Sequence, residues 1–329
     1  MGVECGSQVT VCEYPVHFDT YKGCSHGCAY CFVKRKSNID EIEASRSVKA
    51  LESFIAGNRC ADTSWCDWEI PIHWGGVSDP FQPLESNAGA SLEALKVLER
   101  TGYPFIVSTK GRLVCEEPYL SILSRCNAVV QVSAVCSSYD KLEQGAPTYD
   151  ERVEMISKLS KSVKRVVVRV QPYMREIKNE LISNLQRLKD AGAYGITVEG
   201  MKFQSKRPGL EKVGGDYCYP ETALRRDYSQ IRAECKKVGL AFFCAENRLR
   251  PMGDSTSCCG CGDIDGFTGN RFNAVNIVNG CDVKPTEAMM VKGTAKCFGG
   301  VYQSPVSNKA LKSATFASQM LYEAKKLAK

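Results

Sequence analysis

No apolar run in this chain is long enough to cross a bilayer, and the amino end, Met-Gly-Val-Glu-Cys, lacks the basic segment and apolar core of a secretory leader. There is no low-complexity linker and no internal repeat beyond an alternation of short strands and helices. Charge of either sign is in small surplus: 43 Lys plus Arg against 37 Asp plus Glu leave +6, which says nothing about a polyanionic partner unless it is clustered. Membrane and secreted classes are thereby set aside, and the expectation is a protein of the reducing cytoplasm. What the chain has in plenty is cysteine, 18 in 329 residues. Without a leader that count reads as metal ligands together with buried thiols, which behave as small hydrophobes, rather than as a disulfide framework. The length suits one α/β barrel with an extension.

Short β-rich runs near 8–13, 70–75, 105–109, 128–135, 165–170 and 194–198 alternate with stretches whose apolar residues recur every three or four positions. Examples are Val48, Leu51 and Ile55; Leu92, Leu95 and Leu98; Val153, Ile156 and Leu159; and Leu181, Leu185 and Leu188. Repeated βα units predict an α/β fold, a partial (β/α)6 TIM-type barrel with working loops at the carboxyl ends of its strands. A helix near 221–237 and a strand near 240–244 finish it. The expected division is a barrel over 1–243 and a Cys-rich extension over 244–329 that ends in a helix near 309–326.

In the first such loop, Cys24, Cys28 and Cys31 have C-x3-C-x2-C spacing, with Tyr30 before the third. Three thiolates can hold a cubane of four irons and leave one iron open to a small molecule. The competing reading is a zinc site with His26 as fourth ligand. The cysteine run resembles the signature of the radical S-adenosylmethionine superfamily. That likeness implies a [4Fe-4S] cluster, S-adenosylmethionine chelated at the open iron, reductive cleavage to a 5′-deoxyadenosyl radical, and a reductant such as flavodoxin or ferredoxin.

Gly75 and Gly76 at the end of the second strand allow close backbone approach to a ligand. They resemble the superfamily's Gly-Gly-Glu motif, with Val77, Ser78 and Asp79 in place of the acid. Further on, Asp79-Pro80-Phe81-Gln82-Pro83, Val107-Ser108-Thr109-Lys110, Val132-Ser133-Ala134-Val135, Leu142-Glu143-Gln144-Gly145-Ala146-Pro147 with Glu151-Arg152, and Val168-Arg169-Val170-Gln171-Pro172 follow in order. Together they resemble the spore photoproduct lyase-like branch over roughly residues 14 to 200. The likeness implies that Tyr30, Gly75, Gly76, Ser78, Asp79, Thr109, Lys110, Ser133 and Arg169 surround the cofactor. It also implies a hydrogen-donating cysteine on the second strand, where Ile70-Pro71-Ile72-His73-Trp74 has none. Cys136 is the candidate substitute, with Tyr173 as a second catalytic candidate.

Cys244, Cys258, Cys259 and Cys261, with Cys218 or Cys281 in reserve, form a second thiol group. They are expected near the open end of the barrel as ligands of an auxiliary iron–sulfur cluster or of zinc. Basic clusters lie at Lys34-Arg35-Lys36, from Lys158 to Arg169 and from Lys202 to Arg207. With Trp74, Phe81 and Tyr173 as walls, Lys34, Arg35 and Lys36 beside the cysteine loop are the candidates for gripping an extruded nucleotide. The favoured reading is hydrogen abstraction from a nucleic-acid base, a DNA pyrimidine or modified thymine, with modification preferred to repair because the donor cysteine is missing. The alternatives are radical modification of a peptide or small metabolite, and a non-catalytic iron–sulfur or zinc protein.

Overall fold

Parallel strands covered on both faces are buried along their whole length, and every residue of β4 (Phe105–Thr109) and β5 (Ala128–Ser133) is buried. The computed structural model describes residues 2–6, 8–35, 41–45, 47–292 and 314–328, with backbone alone at 35. Its main sheet runs in the order β1 (Glu4–Cys5), β2 (Val16–Phe18), β3 (Ile72–Trp74), β4, β5, β6 (Arg165–Tyr173), β7 (Gly195–Gly200) and β8 (Ala241–Cys244). The pairs from β2 to β8 are all parallel, and β1 is an antiparallel edge. Helices α1 (Val48–Ile55), α2 (Ala90–Thr101), α3 (Tyr119–Leu123), α4 (Tyr149–Leu159), α5 (Lys178–Asp190) and α6 (Glu221–Val238) make the crossovers. A capping box, Thr148 with Glu151, starts α4.

The sheet curls into a partial barrel. Laid flat, β2 and β6 would stand about 19 Å apart, yet Arg169 of β6 acts electrostatically on His17 of β2 and His73 of β3. The ends stay open, since β8 pairs only with β7 and β1 only with β2.

The first strand differs from expectation. Residues 8–11 form a turn, with Val11 and Cys12 N–H groups donating to the Gln8 carbonyl, and the strand is Val16–Phe18. Val9 and Val11 are buried as their apolar character demands, but their hydrogen bonds are local. The last helix, α7 (Phe316–Leu327), starts later than expected, and residues 309–313 lie outside the described ones. An antiparallel hairpin not anticipated from the sequence, Glu211–Val213 with Asp216–Cys218, stands beyond the carboxyl end of β7. No helix of the described residues is long and apolar enough to cross a membrane.

Candidate functional site

The cysteine loop follows β2 at the carboxyl end of the sheet and is clamped from two sides. On one side lies the loop 142–147. Ala29 N–H donates to the Leu142 carbonyl (2.8 Å), Gly145 N–H donates to the His26 carbonyl (3.1 Å), and His26 Nδ1 is 2.8 Å from the Gly145 carbonyl. A Cβ on residue 145 would stand 2.6 Å from the Ser25 carbonyl oxygen and 2.8 Å from that of His26, so only glycine permits this approach. Tyr30 donates its hydroxyl to Glu143. Arg152, fully buried, lies 2.5 Å from the other Glu143 oxygen and donates to the Ser133 carbonyl at 2.9 Å.

The second jaw is the loop 79–85. Ser25 N–H donates to Gln82 Oε1 (2.9 Å), Gln82 Nε2 donates to the Gly23 carbonyl (3.2 Å), and His26 Nε2 stands 3.1 Å from Asp79 Oδ2. Asp79 also accepts from Thr109 Oγ1 (2.7 Å), Lys110 N–H (2.6 Å) and Phe81 N–H (2.9 Å). Burial works to raise its carboxyl pKa, but His26 and these donors hold it below the ordinary carboxylate value. For His26 burial favours the neutral ring, and Asp79 outweighs it to raise the pKa. Asp79 and Thr109 are therefore engaged in bracing the cysteine loop. Lys110 stands beside the loop, 5.8 Å above the Tyr30 ring and 3.7 Å from Glu143. Burial lowers its pKa, against the pull of Cys28.

The donor set suits a cubane. Three soft thiols come from one short loop, with Cys28 buried and Cys24 and Cys31 half-buried toward the mouth. Without metal, burial first and then Asp79 push the Cys24 thiol up to about 12, and burial raises Cys28 against Lys110. A bound metal would offset the cost of these buried thiolates.

Gly75 has φ +85°, and a Cβ there would stand 2.5 Å from the Ser108 carbonyl oxygen. The end of β3 thus presents bare backbone beside the mouth, continued by Gly76. Ser78 is turned away: its N–H and hydroxyl, with the Val77 N–H, donate to Asp19 Oδ1 at 3.1–3.2 Å. Burial pushes the Asp19 carboxyl up to about 7 against those three donors.

Below the mouth a polar chain crosses the barrel interior. His73 Nε2 is 2.9 Å from Ser108 Oγ, which donates to Gln131 Oε1 (3.0 Å). Arg169 donates to Ser108 Oγ (2.8 Å) and to Gln171, Gln171 donates to Glu199, and Lys202 donates to Glu199. Burial and Arg169 bring His17 down to about 4; burial, then His17 and Arg169, depress His73 strongly. Both rings are therefore neutral near pH 7. Arg169 and Ser133 point into this interior from adjacent strands. His17, His73, Ser108, Gln131, Gln171 and Glu199 were not singled out from the sequence; each is a polar residue inside an otherwise apolar strand, which was the available signal.

Other sequence candidates lie elsewhere. Tyr173 is fully buried on the helix-facing side of β6, with its hydroxyl to Asp227 (3.3 Å) and its ring against Tyr228 of α6. Cys136 is buried in the same outer layer, its sulfur 3.1 Å from Ser138 Oγ, and burial pushes its thiol up to about 12. Neither faces the barrel interior: the irregularity between Val170 and Tyr173 breaks the alternation that would otherwise set Tyr173 on the side of Arg169, and Cys136 lies beyond the end of β5. Trp74 and Phe81 pack against each other in that core. Lys158, Lys161 and Lys164 precede β6 and so sit at its amino end, opposite the mouth, where Arg165 pairs with Asp263 at 2.6 Å. Lys34 is exposed just after the cysteine loop, and Lys36 lies outside the described residues. The segment after Lys202 does stand at the mouth. Lys206 and Arg207 are exposed, Arg207 lies 4.9 Å from the Phe203 ring centre, and Lys212 is exposed on the hairpin with the acids Glu211 and Asp216.

Cys258, Cys259 and Cys261 are at the opposite end from that expected, whereas Cys244 closes β8. Residues 256–268 run across the amino ends of the strands: Arg165 donates to the Gly260 carbonyl (2.6 Å), Trp68 donates to that of Thr268 (2.9 Å), and Gly266 lies against Asn127. They plug the floor of the barrel rather than its open end. Cys258 is held down to about 6 by a hydrogen bond from Cys259 and by Arg250, against burial.

Among solved structures the chain is similar to spore photoproduct lyase complexed with dinucleoside spore photoproduct, with TM-score 0.57 and 16% identity over 70% of this chain and 77% of that one. It is likewise similar to a variant of that enzyme with bound AdoMet and dinucleoside spore photoproduct (0.58, 15%, 73% and 80%) and to Streptococcus suis SuiB bound to S-adenosylmethionine (0.50, 13%, 71% and 51%). The fold is that of the radical S-adenosylmethionine enzymes. Within that class it has the spore photoproduct lyase-like form. In sequence the chain is 24% identical over 221 residues to uncharacterized proteins of Mycobacterium bovis and Mycobacterium tuberculosis, a match over 62% of this chain and 64% of theirs. The matched region therefore spans less than two thirds of these curated relatives. No family model matches the chain.

Proposed function

We propose that this protein is a radical S-adenosylmethionine enzyme acting on a nucleic-acid base, a DNA pyrimidine or modified thymine, and modifying rather than repairing it. The observation that carries the reading is the double clamp of loops 142–147 and 79–85 on Cys24, Cys28 and Cys31 above a polar chamber. When bound, the cluster and S-adenosylmethionine supply a 5′-deoxyadenosyl radical by one-electron cleavage of the sulfonium. The protein's own part is to hold and exclude. Backbone at Gly75 and Gly76 is placed to accept from an ammonium group, and Arg169, fixed by Ser108 and Gln171, offers a guanidinium to a carboxylate or ribose. Lys110 puts a positive charge beside the thiolates. Neutral His17 and His73 line the chamber without adding charge.

A nucleic-acid substrate is supported by the lip after β7, where Lys206, Arg207 and Lys212 accompany Phe203 and Tyr217, and by the dinucleoside in the similar lyase structures. Such a lip can grip phosphates, and half-buried Tyr217 offers a ring to a flipped base, with Phe203 buried behind Arg207 as its support. The carboxyl-terminal thiols belong to the same reading as ligands of a second iron–sulfur cluster, and a small reductant protein such as flavodoxin or ferredoxin is the expected electron source. Anaerobically reconstituted protein given S-adenosylmethionine and dithionite is expected to release 5′-deoxyadenosine. Its absence in protein that holds iron and sulfide would refute the radical activity. Retention on DNA that falls steeply with salt is expected; salt-independent or absent retention would point instead to a peptide or small metabolite.

A further inference from the structure

We propose that Cys12, Cys258, Cys259 and Cys261 hold an iron–sulfur cluster at the floor of the barrel, with the Arg250 guanidinium as its counter-cation. The proposal rests on the reading of the carboxyl-terminal thiols as cluster ligands and replaces Cys244 by Cys12.

Residues 10–14 and 256–276 are tied into one unit although some 240 positions apart. Glu13 accepts from Thr256 Oγ1 (2.7 Å) and Asn276 Nδ2 (3.1 Å), its carbonyl accepts from Asn270 N–H (2.6 Å), and Tyr14 donates to the Phe267 carbonyl (2.9 Å). This knot brings Cys12 within electrostatic reach of both Cys258 and Cys259, and Cys259 within reach of Cys261. Cys244 is likewise in electrostatic reach of Cys258 and Arg250, but its side chain faces the other way. Its neighbour Phe243 turns inward against Gly260, so alternation sends Cys244 to the helix side, where it borders Tyr228 and its sulfur is 3.7 Å from the Glu246 carbonyl.

Arg250 points to the ligand. It is fully buried; Nη2 donates to Asn247 Oδ1 (2.7 Å), while Nε and Nη1 have no hydrogen-bond partner although Cys258, Cys12, Cys244 and Glu199 lie around the group. Two unmet donors on a buried guanidinium are costly unless an anion faces them. A thiolate-ligated cubane is anionic and presents sulfides as acceptors.

The test uses the full chain carrying Cys24→Ser, Cys28→Ser and Cys31→Ser, reconstituted anaerobically and assayed for iron, sulfide and zinc. It is expected to keep about four irons and four sulfides per chain, to lose them when Cys12→Ser or Cys258→Ser is added, and to keep them with Cys244→Ser. A metal-free triple variant, a zinc-loaded one, or loss with Cys244→Ser but not Cys12→Ser would overturn the proposal. If Cys12→Ser fails to fold by circular dichroism, Arg250→Gln in the triple variant decides: its cluster is expected to reduce at a more negative potential, and an unchanged potential would refute the counter-cation. Because the triple variant lacks the amino-terminal thiols, this outcome is independent of whether the protein cleaves S-adenosylmethionine.

Discussion

Gly145→Ala tests whether the loop 142–147 positions the cysteines. A methyl group there meets the Ser25 and His26 carbonyl oxygens at 2.6 and 2.8 Å, and both are backbone atoms that cannot rotate away. Ordinary contact begins near 3.4 Å, so the loops must separate by about 0.8 Å. Overpacking of this kind costs about 1–3 kcal/mol, and weakening the two hydrogen bonds between residues 26 and 145 adds roughly 1 kcal/mol. The sum is a few degrees in Tm for a chain of this size. The larger expected effect is local: iron and sulfide bound at the amino-terminal thiols fall well below wild type while far-UV circular dichroism is unchanged. Gly215→Ala, where an added Cβ meets nothing within 4 Å, is the control. Full iron loading with wild-type Tm in Gly145→Ala would refute the clamp.

Arg152→Met removes the nearer of the two cations at buried Glu143 and leaves Lys110 at 3.7 Å, so up to about 3 kcal/mol of stability should be lost; a urea midpoint within error of wild type would contradict this. The His26–Asp79 pair should give the apoprotein a stability plateau bounded on both sides. Asp79, held below its ordinary 3.8, contributes above that value and loses its contribution as pH falls through the lowered pKa; His26, raised above 6.5, contributes below 6.5 and loses it as pH rises through the raised pKa. The difference in urea midpoint between wild type and Asp79→Asn, followed from pH 3 to 9, should be largest between 3.8 and 6.5 and shrink on both sides; a difference independent of pH would refute the pair. Replacing Lys206, Arg207 and Lys212 by alanine should weaken DNA retention across sequences and flatten its salt dependence by up to about three units of slope, with 5′-deoxyadenosine formation without DNA unchanged.

Strand periodicity placed β4 to the residue and β3, β5, β6, β7 and β8 within a few, since each is a continuous β-rich run bounded by turn residues. It misplaced the first strand because Val9 and Val11 carry the same apolar pattern whether they pair in a sheet or fold into a turn. The hairpin at 211–218 was overlooked although its Gly214-Gly215 turn was visible, because its strands are three residues long and largely polar.

The amino acids alone determined that three thiols lie in one short loop at the carboxyl end of a βα barrel, because ligand spacing and strand period are properties of neighbouring positions. Only the tertiary structure decided what those thiols rest on and which other cysteines face one another. Asp79 and Gly145 became braces, Tyr173 and Cys136 fell in the outer layer, and Cys258, Cys259 and Cys261 went to the floor beside Cys12 and Arg250. Those outcomes depend on which faces alternate inward once the sheet curls and on contacts between residues hundreds of positions apart, and neither leaves a mark in local spacing.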